Sequence, residues 1–215
     1  MGKLKAGMYS FSAKGKIGVG RKALVGAVPA VVIEHGTIDK VIIASPDDGW
    51  SRVGSFDNAG AALYAGCRSA NDSYRTFLRF PGITIPLASP IITCYLELFG
   101  AGHDGTPLTT FYMENTPDPA APTSEAEMDT AVAVRTAAGV NLDTVIPIAW
   151  TQSPELKTVL QEIVTSREGL SDEAIQFLWL ERNADRSLCD GLNRQILTSY
   201  DWTDHSRAPK LHIEY

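Results

Sequence analysis

A mainly β, antiparallel domain carrying one packed α-helix is expected of this 215-residue chain, on three grounds. Apolar residues alternate with period two in several short runs, as in strands that bury one face. Clusters of Gly, Pro, Asp and Asn separate those runs with turn-forming chemistry. One stretch after residue 150 instead repeats its apolar residues at helical spacing.

The elements follow in chain order. Val41-Ile42-Ile43-Ala44 is an apolar run closed by Ser45-Pro46-Asp47-Asp48-Gly49, five residues that favour turns. Ala61 to Ala65 is a second strand, ended by Gly66. In Tyr74 to Phe80, Tyr74, Thr76, Leu78 and Phe80 share one face, while Arg75, Phe77 and Arg79 share the other. Pro81-Gly82 is expected to interrupt that strand, with Ile83 to Pro86 following it. Ile91 to Leu98 and Leu108 to Glu114 are further strands, and Asn115 to Ser124 is a long polar loop.

A helix is expected over about 153–166. Ser153 suits the N-cap, Pro154 the first helical position and Glu155 the positive end of the helix dipole. Leu156, Val159, Leu160, Ile163 and Val164 then form an apolar stripe, and Gly169 supplies the stop. Ile175 to Glu181 returns to strand, and Leu211 to Tyr215 is the last one. Leu78, Phe80, Ile92, Leu96, Trp150, Phe177, Trp179, Leu211 and Ile213 are the expected core, and His212 an edge or surface side chain.

Charge divides the chain. Residues 1–40 hold seven basic side chains, Lys3, Lys5, Lys14, Lys16, Arg21, Lys22 and Lys40, against Glu34 and Asp39, a balance of +5. The whole chain carries −6, so the remainder carries −11. A basic, Gly-rich leader on an acidic body reads as an arm that docks on a partner, with Ala30, Val31, Val32 and Ile33 able to add a strand to an exposed edge. The competing reading is a first hairpin with solvated lysines. The domain proper is then residues 41–215.

Several chemistries find no support. An acidic body argues against a nucleic-acid binder. No apolar run approaches the roughly 18 residues of a membrane helix, and no secretory signal is visible at the start. The G-x-S-x-G, phosphate-loop and H-E-x-x-H motifs are absent, and Gly15 to Gly20 lacks the dinucleotide spacing. His35, His103, His205 and His212 are dispersed, and Cys67, Cys94 and Cys189 make neither a CxxC pair nor an even disulfide framework. Cys94, in an apolar strand, reads as packing. The expectation is a protein that is not an enzyme and needs no cofactor.

Two kinds of ligand remain in view. Asp47, Asp48 and Asp72 could form an oxygen cage for Ca²⁺ if their turns converge, although Asp is also an ordinary turn former. Trp50 lies beside the Asp-Asp-Gly turn, and Trp202 lies three residues before His205. A Trp with neighbouring Asp or His can stack on a sugar and bond its hydroxyls, which makes Trp50, Trp202 and His205 candidate glycan contacts. The alternative is that each indole plugs an end of the β domain.

Read in order, several segments resemble the DNRLRE-type jelly-roll domains, which are related to carbohydrate-binding modules and recur in bacteriophage structural genes. They are Ser45-Pro46-Asp47-Asp48-Gly49-Trp50, Tyr74 to Phe80, Ile83 to Pro86, Ile148-Ala149-Trp150, Ser153 to Leu156, Leu160 to Val164, Ser199-Tyr200-Asp201 and Ala208 to Tyr215. The resemblance covers about residues 41–215. Where the family commonly carries Trp, this chain has Leu170. The resemblance implies a jelly-roll-like β-sandwich with one helix packed against it. Members attached to secreted enzymes look like sugar-binding appendages, and those in phage genomes look like virion parts.

With its basic leader and no attached catalytic domain, this chain is expected to be a virion structural protein, assembled in the host cytoplasm. It would decorate a capsid or tail, with other virion proteins or neighbouring copies of itself as partners. The alternative is a carbohydrate-binding module that recognises polysaccharide.

Overall fold

The period-two patterning appears as twelve strands in the computed structural model, which describes residues 34–87, 89–203 and 205–215. The strands are β1 (Thr37–Val41), β2 (Asp48–Arg52), β3 (Ser55–Asp57), β4 (Ala62–Ser69), β5 (Asp72–Ile85) and β6 (Thr93–Asp104). β7 (Thr109–Met113), β8 (Val140–Leu142), β9 (Trp150–Gln152), β10 (Leu170–Glu181), β11 (Asn193–Thr198) and β12 (Lys210–Glu214) follow. Their pairings are antiparallel, in the order β1-β12-β6-β11-β4-β5-β10-β7-β8. β2 lies beside β5 and β3, and β9 beside β6. The leader residues expected to dock, Lys3, Lys5, Lys14, Lys16, Arg21, Lys22, Ala30, Val31, Val32 and Ile33, lie outside the described residues.

Strands far apart in that order share one core. Leu78 and Phe80 of β5, Leu96 and Leu98 of β6, Phe177 and Trp179 of β10, and Leu211 and Ile213 of β12 are buried in the same cluster. The Trp179 indole N–H donates to the Thr109 hydroxyl at 2.7 Å, which satisfies its polar end inside that core.

Two expected core residues are corrected. Ile92 is 49% exposed and Trp150 is 39% exposed. Ile92 precedes β6 and alternates outward while Ile91 is buried. Trp150 faces outward from the short edge strand β9, opposite Phe99.

The second face of β5 is also buried, which the alternation in the sequence does not reveal. Phe77, Leu178, Leu180 and Tyr112 form a separate cluster with Met128, Ala131 and Val132 of α1 (Glu125–Ala133). This helix adds to the one expected. Ser124 caps it by accepting from the Glu127 amide at 3.3 Å, and the Glu127 carboxylate accepts from the Thr123 amide at 2.7 Å. Ser124-x-x-Glu127 has the sequence form of a capping box, with Glu127 reaching the amide of Thr123 rather than that of the N-cap Ser124, and could have disclosed the helix.

The expected helix is α2 (Lys157–Ser166), four residues later than its proposed start at Ser153. Ser153 and Glu155 face β6 instead. The Ser153 hydroxyl accepts from the Leu96 amide at 3.0 Å, and Glu155 accepts from the Cys94 amide at 2.7 Å and from the Thr93 hydroxyl at 2.6 Å. Val159, Leu160, Ile163 and Val164 still face the core as the stripe requires. At the other end, Glu168 takes the left-handed conformation at φ 57°, and the Gly169 amide donates to the Val164 carbonyl at 2.9 Å. That is a Schellman stop with glycine one place beyond the usual residue.

Further boundaries move for local reasons. Pro81-Gly82 does not end β5. Ile175 pairs with Phe80 and Glu173 with Ile83, so one extra residue bulges there, with Gly82 at φ +69°. The first strand is Thr37–Val41 rather than 41–44, because it pairs with β12. The proposed leader boundary at residue 40 therefore cuts through β1. β12 itself lies between β1 and β6, so His212 is not on an edge strand.

Cys67 and Cys189 form a disulfide, the pairing that the odd cysteine count concealed. Cys94 is free and buried. Burial, with Glu155 nearby, pushes its thiol pKa far up, which favours packing over nucleophilic chemistry.

Candidate functional site

The three aspartates proposed for Ca²⁺ do not converge. Asp48 pairs across from Leu78 while Asp72 begins β5, six residues away, a separation of roughly 20 Å along an extended strand. Each is held by other groups. Asp47 accepts from the Arg79 guanidinium at 2.7 Å, and Asp72 accepts from Arg68 at 3.2 Å. Asp48 accepts from the Tyr200 amide at 2.8 Å. Among the described residues, no three His, Cys, Asp or Glu side chains assemble into a metal-binding cluster.

Asp48 nonetheless occupies an unusual environment. Burial raises its pKa from 3.8 to about 7 against the lowering effect of the Tyr200 amide, and the nearby Asp201 and Asp47 charges raise it further. Asp201 is held by the Ser45 hydroxyl at 2.7 Å. The Ser45–Asp48 turn and the Ser199–Asp201 turn, far apart in sequence, are thus tied by carboxylates on each side.

The proposed glycan residues divide. Trp50 is half-buried against the core and meets Tyr64 and Tyr74 edge-on, with ring centres 5.5 and 5.2 Å away. Arg194 lies over both tyrosines, so Trp50 belongs to a packed aromatic cluster. Trp202 is half-buried in the turn after β11, and exposed His205 stacks on Tyr200 at 4.3 Å. The ring contacts of Trp50 are with Tyr64 and Tyr74.

A more organised set of side chains lies on the outward face of β1, β12, β6 and β9. Strand register arranges it in rows: Asp39–His212–Tyr95, then Val41–Lys210–Glu97–Gln152, then Phe99–Trp150. The inward alternates Cys94, Leu96, Leu98, Leu211 and Ile213 are buried, which fixes the outward set rigidly by the two-residue period. Tyr95 stacks on His212 with ring centres 4.7 Å apart, and His212 Nδ1 lies 2.7 Å from the Asp39 carboxylate. Lys210 Nζ lies 3.5 Å from Glu97 and 3.9 Å from the centre of the Trp150 ring. Phe99 meets the Trp150 ring edge-on at 5.6 Å, and Arg207 lies over Phe99 at 4.3 Å.

An open cleft of about 390 Å³ runs between Asp39, Tyr95, Glu97, Lys210 and His212. This arrangement can present aromatic faces and hydrogen-bonding groups to one bound molecule. Reading Trp150 as core concealed it. The available signal was the alternation Tyr95, Glu97, Phe99 opposite Cys94, Leu96, Leu98 within one strand.

No family model matches the chain, and no curated protein matches it.

Proposed function

We propose that the protein is a non-enzymatic structural component of a bacteriophage virion, a jelly-roll-type body that decorates a capsid or tail and docks through its basic leader. The observation that carries this reading is the use of the charged side chains. The acids and arginines that could suggest chemistry are joined in framework pairs: Arg79 with Asp47, Arg75 with Glu181 at 3.0 Å, and Arg194 with Asp104 at 2.7 Å. A rigid sheet face meanwhile stays open. Such a division suits a scaffold that presents surfaces. The ordered resemblance to phage-borne jelly-roll domains and the charge contrast between leader and body support the same reading.

The test is an add-back assay with particles lacking the protein. Full-length protein should rejoin them, and a form beginning at Glu34, which keeps β1 intact, should stay folded yet fail to rejoin. Equal occupancy by the truncated form would remove the leader from the docking role.

A second reading is a carbohydrate-binding module. It is favoured by one specific observation, the outward Tyr95, Phe99 and Trp150 rings set among Asp39, Glu97, Lys210 and His212. The two readings are compatible, because a virion component can also hold polysaccharide.

A further inference from the structure

The geometry points to the cleft between β1, β12 and β6, together with the Trp150 ring beyond Lys210, as the site that binds a neutral polysaccharide through its pyranose rings. This inference rests on the carbohydrate reading and replaces Trp50, Trp202 and His205 with Tyr95, Glu97, Trp150, Lys210 and His212 as the contacts.

Three features argue for that ligand class. The first is shape. The outward residues stand on strands about 4.8 Å apart, in rows about 7 Å apart along each strand, so a flat, extended molecule can meet several of them together. Tyr95 and Trp150 belong to rows separated by the Lys210–Glu97 row, so a short oligosaccharide can meet both rings.

The second is chemistry. A pyranose offers an apolar C–H face and a rim of hydroxyls, and the site offers both complements. Tyr95 provides aromatic surface in the cleft, the partly exposed Trp150 ring lies next to it beyond Lys210, and Asp39, Glu97, Lys210 and His212 provide acceptors and donors. These polar groups already bond one another, His212 to Asp39 and Lys210 to Glu97, so they are held in place before a ligand arrives. Prior ordering lowers the entropy lost on binding.

The third is charge. The acids Asp39 and Glu97 share the cleft lining with Lys40, Lys210 and the His212 imidazole, so neither sign dominates. A strongly anionic or cationic polymer would meet a like charge at each end, whereas a neutral one meets only hydrogen-bonding partners. A second copy of the chain is a poorer occupant, because charged side chains divide the apolar surface where an interface core is depleted of charge.

The experiment is affinity electrophoresis and calorimetry of the full chain with soluble dextran, mannan and a neutral O-antigen polysaccharide. At least one should retard the wild-type protein, with affinity little changed between low and moderate salt. Trp150→Ala and Tyr95→Ala should each weaken binding at least tenfold, while Trp202→Ala leaves it unchanged. Glu97→Gln, a half-exposed and near-isosteric change, should weaken it without altering the melting temperature. This guards against misreading an unfolded variant.

Binding that disappears only in Trp202→Ala would overturn this site and leave the carbohydrate reading standing. Retardation by none of the polymers would overturn both. A concentration-dependent dimer that Trp150→Ala dissolves would assign the face to a second copy and overturn the proposal.

Discussion

Cys67, near the end of β4, is bonded to Cys189, in the loop before β11, across 122 residues of sequence. The Asn71 amide donates to the Cys189 carbonyl at 3.1 Å beside that link, so the β4–β5 turn and the loop are fastened twice. A cross-link closing so long a loop restricts the unfolded chain far more than the folded one.

Replacing both cysteines by serine should therefore lower stability, by up to about 5 kcal/mol in the loop-entropy account. Urea denaturation of the oxidised protein and the double variant measures it. Thiol titration of oxidised, unfolded protein should find one reactive group per chain, Cys94. Because cytosolic thiols are kept reduced, the proposed virion role predicts three titrating groups before particle release and one after it.

Asp48 supplies a pH dependence whose sign is definite. Its folded-state pKa of about 7 lies above the ordinary 3.8, so the folded form favours the protonated acid. The stability this contributes is complete below about pH 4 and is lost as pH rises through 7. Asp48→Asn keeps an oxygen for the Tyr200 amide and removes the buried charge. The variant should match the wild type near pH 4 and exceed it at pH 8, by up to roughly 4 kcal/mol. Thermal melts across pH 4–8.5 decide it, and parallel curves for the two proteins would contradict this assignment.

Leu160 is fully buried on the core-facing side of α2. Leu160→Ala should cost about 2–5 kcal/mol by leaving a cavity in the core. A denaturation midpoint equal to that of the wild type would mean that the α2 stripe does not pack.

The Arg75–Glu181 pair lies on the face covered by α1, with the Glu181 side chain wholly buried and Asp129 of α1 bonded to the same guanidinium at 3.0 Å. Glu181→Gln leaves the buried guanidinium with only the half-exposed Asp129 as counter-charge and should destabilise by about 3–5 kcal/mol. Asp129→Asn, at a half-exposed carboxylate, should cost well under half of that. Denaturant titration of the two variants gives the ranking, and equal losses would refute it.

Much of the β architecture was legible in single segments, because one face of β6 and β12 is buried and period two records it directly. Long-range events were less legible. The Cys67–Cys189 pairing joins residues that no local spacing relates. The strand β5 runs on through Pro81-Gly82 because a bulge absorbs the extra residue, which a punctuation rule reads as a break. Trp150 looked buried because a large indole usually is, and its outward direction depends on the pairing of β9 with β6. The aspartate turns were visible as turns, but the approach of Asp48 to Tyr200 depends on contacts 152 residues apart. The helix α1 left a local signal in Ser124-x-x-Glu127, and its short apolar face of Met128, Ala131 and Val132 was too sparse to draw attention.

The central claim, that this is a structural component of a virion, is tested most directly by quantitative mass spectrometry of purified, nuclease-treated phage particles. The account predicts peptides from residues 34–215 at a fixed copy number per particle, retained through density-gradient banding and high-salt washing. Peptides confined to the infected-cell lysate and absent from banded particles would contradict it.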